Sequence, residues 1–223
     1  MCGRYTLTTP SSFLQSRFKF LMEGFGPSER YNIAPTQDVL AISSDEARRQ
    51  ASMMRWGLIP FWAKDTKFGS RMINARAETI LENGVFGQLF PSQRCLIPAD
   101  SFFEWKGEGK NKTPVRIMLK TEEPFAFAGL WSSWKPAGNS SDEIFSCTII
   151  TTVANSILDS VHTRMPVILT PGAEDLWLDS GNLSNAELRE LLLPYSPEAM
   201  KMYEVSSVVN SPRNENRSCI LPI

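Results

Sequence analysis

The chain has 223 residues, of which 42% are hydrophobic and 21% charged, and its formal net charge is −1. This length fits one large domain, or at most two small ones, with a sizeable core. The charge excludes a generally basic nucleic-acid-binding protein but not a local arginine patch. No apolar run approaches the roughly 20 residues that cross a bilayer, and the first residues lack the apolar segment of a signal peptide. We therefore expect a cytoplasmic protein with no membrane contact.

Nine short stretches have the alternation and the Val, Ile, Thr and aromatic content that are typical of β-strands. They lie at residues 39–43, 52–58, 94–99, 101–106, 114–120, 125–131, 146–152, 166–170 and 203–209. The polar segments 107–112 and 135–143 between them are typical of hairpin connections.

Helical signals are fewer, and they occur at residues 11–20, 155–162 and 184–193. The first stretch follows Pro10 with serines at its cap, and Asn155 is a possible cap of the second. The third is amphipathic, with Ser184 or Asn185 at its start and Glu187 in its first turn. Together the elements predict an α+β fold: a β-rich single domain over residues 1–223, with a mostly antiparallel curved sheet or barrel-like core and peripheral helices.

Three of the four cysteines, Cys95, Cys147 and Cys219, lie in apolar stretches, which favours their burial as small hydrophobic residues. No CxxC pair occurs and no His/Cys cluster has zinc-finger spacing, so we expect neither a metal site nor a cofactor. Cys2 lies in no apolar run, and its position suggests a different role.

Removal of Met1 would give Cys2 a free α-amine beside its thiol. The α-amine has a pKa of about 7.7–8.0, against about 10.4 for lysine, so it is nucleophilic near physiological pH. Such an amine attacks an aldehyde to give a Schiff base, and the neighbouring thiol can then close a five-membered thiazolidine ring. From position alone, an incidental cysteine explains the sequence equally well.

Two further residues could carry protons. His162 is the only histidine of the chain, and its pKa range suits proton transfer near neutrality, although a lone histidine is more often structural. Strand alternation places Glu104 on the same face as Phe102, opposite Phe103 and Trp105. A carboxylate on an apolar face is partly desolvated, which raises its pKa and suits general acid–base chemistry. A carboxylate paired with an arginine is the equally good alternative.

Arg4, Arg76 and Arg164 stand beside these candidate residues, and guanidinium groups suit phosphates. Trp56 precedes Pro60, Phe61 and Trp62 follow it, and any of these three aromatic residues could stack on a base. An aromatic residue in such a segment is nevertheless more often part of the core.

Seven segments then occur in order along the chain: MCGRY at 1–5, YNIAP at 31–35, RWGLIPFW at 55–62, INARAET at 73–79, RCLIPADSFFEWK at 94–106, HTRMPVIL at 162–169 and VSSVVN at 205–210. Together they resemble the SRAP family, the SOS-response-associated peptidase-like proteins that process abasic sites. Any one motif is weak, but the set covers essentially the whole chain.

The resemblance implies a partner, single-stranded DNA with an abasic site, whose ring-opened sugar is trapped by Cys2 as a thiazolidine DNA–protein crosslink that protects the lesion. It assigns to Asn74 the orientation of the cysteine backbone and amine, to Glu104 acid–base activation, and to His162 a proton shuttle. The remaining roles concern DNA: phosphate binding for Arg4, Arg76 and Arg164, packing on bases or sugars for Pro35 and Trp62, and a backbone contact for Thr151. We expect a monomer that associates with the nucleoid when bound to DNA.

The family name also implies a thiol peptidase activity, which we interpret as self-catalysed release of Met1. Two other classes stay open. One is an N-terminal-nucleophile glutamine amidotransferase, which also begins Met-Cys-Gly. The other is a non-covalent reader of damaged single-stranded DNA, in which Cys2 is incidental.

Overall fold

The computed structural model describes residues 2–21, 28–45, 48–109, 112–136, 143–179, 181 and 183–223. The described strands are β1 (Tyr5–Leu7), β2 (Arg30–Ile33), β3 (Asp38–Asp45), β4 (Arg48–Trp56), β5 (Asn74–Arg76), β6 (Arg94–Ala99), β7 (Ser101–Lys106), β8 (Thr113–Leu119), β9 (Phe125–Trp134), β10 (Ile144–Val153), β11 (Arg164–Pro166), β12 (Ile168–Leu169) and β13 (Met200–Glu204). The described α-helices are α1 (Ser11–Phe18), α2 (Phe86–Leu89), α3 (Pro171–Leu178) and α4 (Asn185–Glu190).

Five strands close into a barrel. Antiparallel pairing runs from β4 through β3, β6 and β9 to β10, and β10 returns to β4 by a parallel pairing. Closure leaves no unpaired strand edge in the ring, which is one way in which a β-rich domain avoids edge-to-edge association. The predicted β-rich fold with a barrel-like core and mostly antiparallel pairing is therefore confirmed.

A second sheet, in the order β13-β8-β7-β1-β2, packs against the barrel. Aromatic side chains join the two layers: the Tyr5 ring lies edge-on to Trp56 at 5.4 Å and to Phe127 at 5.7 Å. Phe102 contacts the same Phe127 ring at 6.1 Å. Because β1 and β7 both contribute to this interface, the start of the chain is held rigidly beside the middle of β7.

Several strand predictions are confirmed closely. The predicted strands 94–99 and 101–106 coincide with β6 and β7. The antiparallel pairs β7–β8 and β9–β10 confirm the two hairpins, although residues 110–111 and 137–142 of their loops lie outside the described residues.

Five further predicted strands agree with β3, β4, β8, β9 and β10 to within four residues at each end, whereas two depart further. The segment 166–170 divides because Val167 changes partner: its N–H bonds to Ile150 of β10, and its carbonyl accepts from Ala128 of β9. The segment 203–209 leaves the sheet after Glu204, where the Ser206 side chain accepts the Val208 N–H and starts a 3₁₀ turn.

The helix predictions have mixed outcomes. Helix α4 begins with a capping box between Ser184 and Glu187, so Ser184 is the N-cap. Helix α1 is present, but its N-cap is Pro10 and no serine side chain caps it. The helix predicted at 155–162 is wrong: the segment forms turns in which Asn155 Oδ1 accepts the Leu158 N–H. Within the described segments, no helix combines the length and apolar character needed to cross a membrane.

Candidate functional site

Cys2 lies in the interior, three residues before the start of strand β1. Tyr5 pairs with Phe102, and the ladder continues where the Phe103 N–H donates to the Arg4 carbonyl over 2.9 Å. The chain therefore runs back along β7 towards Glu104, and Cys2 is fully buried. Cys95, Cys147 and Cys219 are also buried, as their apolar surroundings predict.

Asn74 holds the Cys2 backbone. Strand β5 lies parallel to β10, with Asn74 opposite Ile149, and Asn74 Nδ2 donates to the Cys2 carbonyl oxygen at 2.9 Å. The buried Asn74 Oδ1 has no hydrogen-bond partner among the described residues. It is therefore an acceptor that can still take an N–H group, and a buried acceptor gains most from such a bond. The implied contact with the cysteine backbone is present; the effect on the amine stays a prediction.

Glu104 lies beside the thiol. Its alternation with Phe102 and Phe103 is confirmed: Phe102 belongs to the main core, and Phe103 belongs to a separate cluster with Val205. Glu104 is 4% exposed, and burial raises the pKa of its carboxyl group. Burial also raises the pKa of the Cys2 thiol, and the nearby Glu104 charge raises it further. The thiol is therefore protonated at neutral pH.

The raised pKa of Glu104 predicts a pH dependence of stability. Folding stabilises the protonated carboxyl, so the free energy of unfolding should fall as pH rises from about 4.3, the ordinary glutamate pKa, through the higher folded-state pKa. The Glu104→Gln variant cannot ionise, so it should lack this fall and be more stable than wild type at neutral pH. The difference should be about 1.4 kcal/mol for each pH unit between the two pKa values. Urea unfolding at several pH values tests this, with the exposed Glu82→Gln as control; parallel curves for wild type and Glu104→Gln would refute it.

His162 occupies the last turn before β11 and is half-buried. Its Nδ1 accepts the Arg164 N–H at 2.9 Å, so the ring hydrogen of the neutral imidazole is on Nε2. Burial lowers the pKa of His162. The ring is therefore neutral near pH 7 and presents Nε2–H as its donor.

Three adjacent strands bring together Arg76, Thr151 and Arg164. Thr151 of β10 lies opposite Arg76 of β5, and Arg164 Nη2 donates to the Thr151 carbonyl oxygen at 2.7 Å. Arg164 Nη1 also pairs with Glu78 at 2.7 Å. Arg76 is exposed, but Thr151 is fully buried and its hydroxyl donates to the Ala75 carbonyl. Thr151 therefore supports Arg164 from within the sheet, and the expected contact of Thr151 with DNA stays a prediction.

Arg4 is fixed by residues from distant parts of the chain. Its Nη1 donates to Asn32 Oδ1 and to the Val209 carbonyl, each at 2.7 Å, and its guanidinium lies 5.8 Å from the Trp105 ring centroid. Trp105 in turn donates to Asn210 at 2.7 Å. The segments YNIAP and VSSVVN therefore meet at Arg4, which both of them anchor. The part that Asn32 plays in anchoring Arg4 was not predicted from the sequence.

The two apolar candidates lie at the surface. Pro35 follows strand β2, is partly exposed and precedes Thr36, whose φ is 74°. Trp62 is 52% exposed in the loop that leads from β4 to β5. The described residues contain no cluster of three or more His, Cys, Asp or Glu side chains that could hold a metal ion.

A β-barrel that buries a cysteine near the start of the chain, with an amide bound to its carbonyl oxygen and a carboxylate near its thiol, defines a class of cysteine-based site. The sequence profile described as SOS response associated peptidase (SRAP) matches residues 1–212. The chain belongs to this family.

Relatives with assigned names agree with this membership. "Abasic site processing protein YoqW" of Bacillus subtilis (strain 168) is 47% identical, and the alignment covers 99% of both chains. "Abasic site processing protein HMCES" of Xenopus tropicalis is 32% identical over 81% of this chain and 59% of its own. A crystal structure of a protein from Bacteroides thetaiotaomicron superposes with a TM-score of 0.89 at 29% identity, covering 100% of each chain.

Proposed function

We propose that this protein captures abasic sites in single-stranded DNA through Cys2, once Met1 has been removed, and so protects the lesion as a covalent DNA–protein crosslink. The names of its relatives support abasic sites as the target. The observation that carries the chemistry is the setting of Cys2, with Asn74 on its backbone carbonyl and Glu104 beside its thiol.

The first step is attack of the Cys2 amine on the sugar aldehyde. The free Asn74 Oδ1 accepts an amine N–H and directs the nitrogen lone pair at the carbonyl carbon. Glu104 takes a proton from the attacking nitrogen and returns one to the departing hydroxyl, while His162 Nε2 is a second donor. A C–N bond forms, one water leaves and a Schiff base results.

Ring closure follows. The thiol adds to the imine carbon: the S–H bond breaks, a C–S bond forms, and the proton moves to the nitrogen. The product is a thiazolidine, and the whole reaction loses one water. Because burial and Glu104 raise the pKa of the thiol, little thiolate is present to attack first. The order is therefore imine, then ring.

DNA binding in this proposal depends on charge and stacking around the site. Arg76, Arg164 and Arg4 hold phosphates on either side of the abasic sugar, and the exposed Trp62 ring packs on a neighbouring base with Pro35 beside it. The single-stranded form is favoured because a fully buried cysteine can be reached only by a sugar that leaves the duplex stack.

The release of Met1 belongs to the same proposal. We assign it to the Cys2 thiol, which attacks the Met1 carbonyl: the S–H proton passes by way of Glu104 to the departing nitrogen, a C–S bond replaces the C–N bond, and the Cys2 amine is freed. Water then hydrolyses the thioester, which releases methionine and restores the thiol. In a purified translation system without methionine aminopeptidase, wild type should lose Met1 and Cys2→Ala should keep it, as seen by intact mass. Retention of Met1 by wild type in that system would refute self-processing and leave the crosslinking proposal standing.

A denaturing gel tests the crosslinking proposal. Three single-stranded oligonucleotides are compared: one with a natural abasic site, one with the tetrahydrofuran analogue that lacks an aldehyde, and one undamaged. Only the first should give a heat-stable shifted band, and methoxyamine, which blocks the aldehyde, should remove it. Equal bands with all three would contradict the proposal. Binding without any band would favour a non-covalent reader, and ammonia release from glutamine would favour an amidotransferase.

A further inference from the structure

Glu78 places a carboxylate beside the arginines that the proposed function assigns to DNA. It lies in the 3₁₀ turn Ala77–Thr79, two residues after Arg76 of strand β5. Its Oε1 accepts a hydrogen bond from Arg164 Nη1 at 2.7 Å. The role proposed for Arg164 is phosphate binding, yet Glu78 already holds one of its N–H groups. A DNA phosphate and this carboxylate therefore compete for the same guanidinium.

Arg76 and Arg164 project from one face of the sheet. Arg76 lies opposite Thr151 of β10, and Arg164 lies opposite Val153 of the same strand. Thr151 and Val153 are two residues apart and so share a face, and residues directly opposite each other on neighbouring strands share a face as well. The two arginines therefore flank β10 on the side where Glu78 bonds to one of them.

Glu78 is negatively charged at neutral pH. Partial burial raises the pKa of its carboxyl group, but the hydrogen bonds from Arg164 and from its own backbone N–H lower the pKa by more. The positive charge of Arg76 acts in the same direction, and the resulting pKa lies below the ordinary glutamate value. An internal anion therefore interacts with two of the arginines to which the proposed function assigns phosphates.

The bond between Glu78 and Arg164 is of a kind that another anion can displace. A second pair in the protein gives the contrast: Arg17 and Glu174 form two parallel bonds of 2.8 Å, and the Glu174 side chain is only 2% exposed. Glu78 accepts a single bond from Arg164, and its side chain is 42% exposed. Bidentate pairs are the strong ones, whereas exposed single pairs contribute little. Arg17 and Glu174 therefore form a lasting structural contact, and Glu78 can leave.

Arg164 keeps its position when Glu78 leaves. Its Nη2 donates to the Thr151 carbonyl oxygen at 2.7 Å and to the Thr151 hydroxyl at 3.1 Å. Thr151 is fully buried in β10, and the Arg164 side chain is only 14% exposed. The guanidinium is therefore fixed through Nη2 while Nη1 changes its partner, which reduces the entropy that a phosphate loses by binding there.

We propose that Glu78 is an internal competitor of the DNA phosphates. In the free protein it neutralises Arg164; when a strand binds, a phosphate replaces the carboxylate on Nη1 and the Glu78 side chain turns into solvent. No covalent bond changes. Glu78 therefore keeps the affinity for single strands below what the arginines alone would give, which favours release of strands that hold no lesion. This inference rests on the proposed function.

The test measures dissociation constants for a single-stranded oligonucleotide with the tetrahydrofuran analogue, so that binding is separated from crosslinking. Wild type is compared with Glu78→Gln, Glu82→Gln, Arg164→Gln and the double variant Glu78→Gln/Arg164→Gln. Glu82→Gln is the matched control, because Glu82 is an exposed carboxylate of the same segment and its loss changes the net charge equally. The Arg164 variants complete a double-mutant cycle, which reports whether Glu78 acts through Arg164.

Glu78→Gln should bind the oligonucleotide about 2- to 5-fold more tightly than Glu82→Gln does, the factor that corresponds to a partly exposed ion pair. Glutamine keeps the size of the side chain and an acceptor oxygen but has no charge, so less is lost when a phosphate replaces it. In the Arg164→Gln background, the same substitution should change the affinity no more than Glu82→Gln changes that of wild type.

An affinity of Glu78→Gln equal to or below that of Glu82→Gln would overturn the inference. An equal gain with and without Arg164 would also overturn it, because the gain would then reflect net charge alone. Thermal unfolding checks that the Arg164 variants fold; if they do not, the comparison of Glu78→Gln with Glu82→Gln decides alone. Crosslinking of wild type to a natural abasic site tests the proposed function separately, since its absence would refute capture by Cys2 and leave the measured effect of Glu78 on binding unchanged.

Discussion

Replacing Cys2 by alanine or serine should abolish the stable adduct with an abasic oligonucleotide while leaving the affinity for single strands unchanged. Neither variant can release Met1 through its own thiol, so both are produced in cells whose methionine aminopeptidase removes Met1. Each then has an N-terminal amine at residue 2, and the Schiff base still forms. Alanine cannot close a ring, and serine closes only the less stable oxazolidine. The adduct should therefore disappear from a denaturing gel and return when borohydride reduces the imine before denaturation.

Cys95→Ala is the matched control, because it removes another buried thiol and should crosslink like wild type. Affinity is measured with the tetrahydrofuran analogue, so that binding and capture are separated. A Cys2→Ala adduct as abundant and as heat-stable as that of wild type would contradict thiazolidine formation. A loss of binding in Cys2→Ala would instead show that the variant had disturbed the site.

The Glu104→Gln variant should slow crosslinking by about 10²–10⁴-fold, the usual contribution of a general acid–base group, with little change in affinity. Burial raises the pKa of Glu104, so the carboxyl can exchange protons closer to neutrality than an exposed glutamate. Glutamine keeps the shape but cannot carry the proton. Single-turnover rates with prebound DNA, measured across pH, should show an ionisation in wild type that the variant lacks.

Loss of Met1 must first be checked by mass in every preparation, because an unprocessed chain has no Cys2 amine. Glu82→Gln, an exposed carboxyl, is the control and should react at the wild-type rate. A fully processed Glu104→Gln protein with a wild-type rate and pH profile would remove Glu104 from the mechanism.

Strands were predictable where the local pattern is strong. Strand β6 is apolar after Arg94 and β7 carries alternating faces, and their predicted limits coincide with the observed ones. The barrel closure depends on parallel pairing of β4 with β10, about ninety positions apart, and no local pattern specifies such a contact. Helix α3 was missed although Thr170 caps it and Pro171 starts it, a signal that was available.

The false helix at 155–162 has a local cause. Asn155 does act as a cap, because its Oδ1 accepts the Leu158 N–H. Its Nδ2 also donates to the Tyr195 carbonyl at 2.7 Å, and the Ala154 N–H bonds to Thr163 across the loop. These tertiary bonds close the segment after its turns and bring His162 to the start of β11. A capping signal therefore specifies where a turn begins, not how long the helix continues.

At the site, alternation within one strand was enough to predict the environment of Glu104, which is buried with a raised pKa. Contacts across the fold were not predictable in the same way. The burial of Thr151 and the anchoring of Arg4 by Asn32 depend on side chains that meet only after folding. Glu78, two residues after Arg76, could have been noticed as a partner for a nearby guanidinium, and it pairs with Arg164.

Intact-protein mass spectrometry tests the central claim most directly. The protein is incubated with a uracil-containing single-stranded oligonucleotide that has been treated with uracil glycosylase, and the whole adduct is weighed. We predict the mass of the chain without Met1 plus the abasic oligonucleotide, less one water, which reports processing and covalent capture together. A chain that has lost Met1 and remains unmodified under conditions where it binds the oligonucleotide would contradict covalent capture by Cys2.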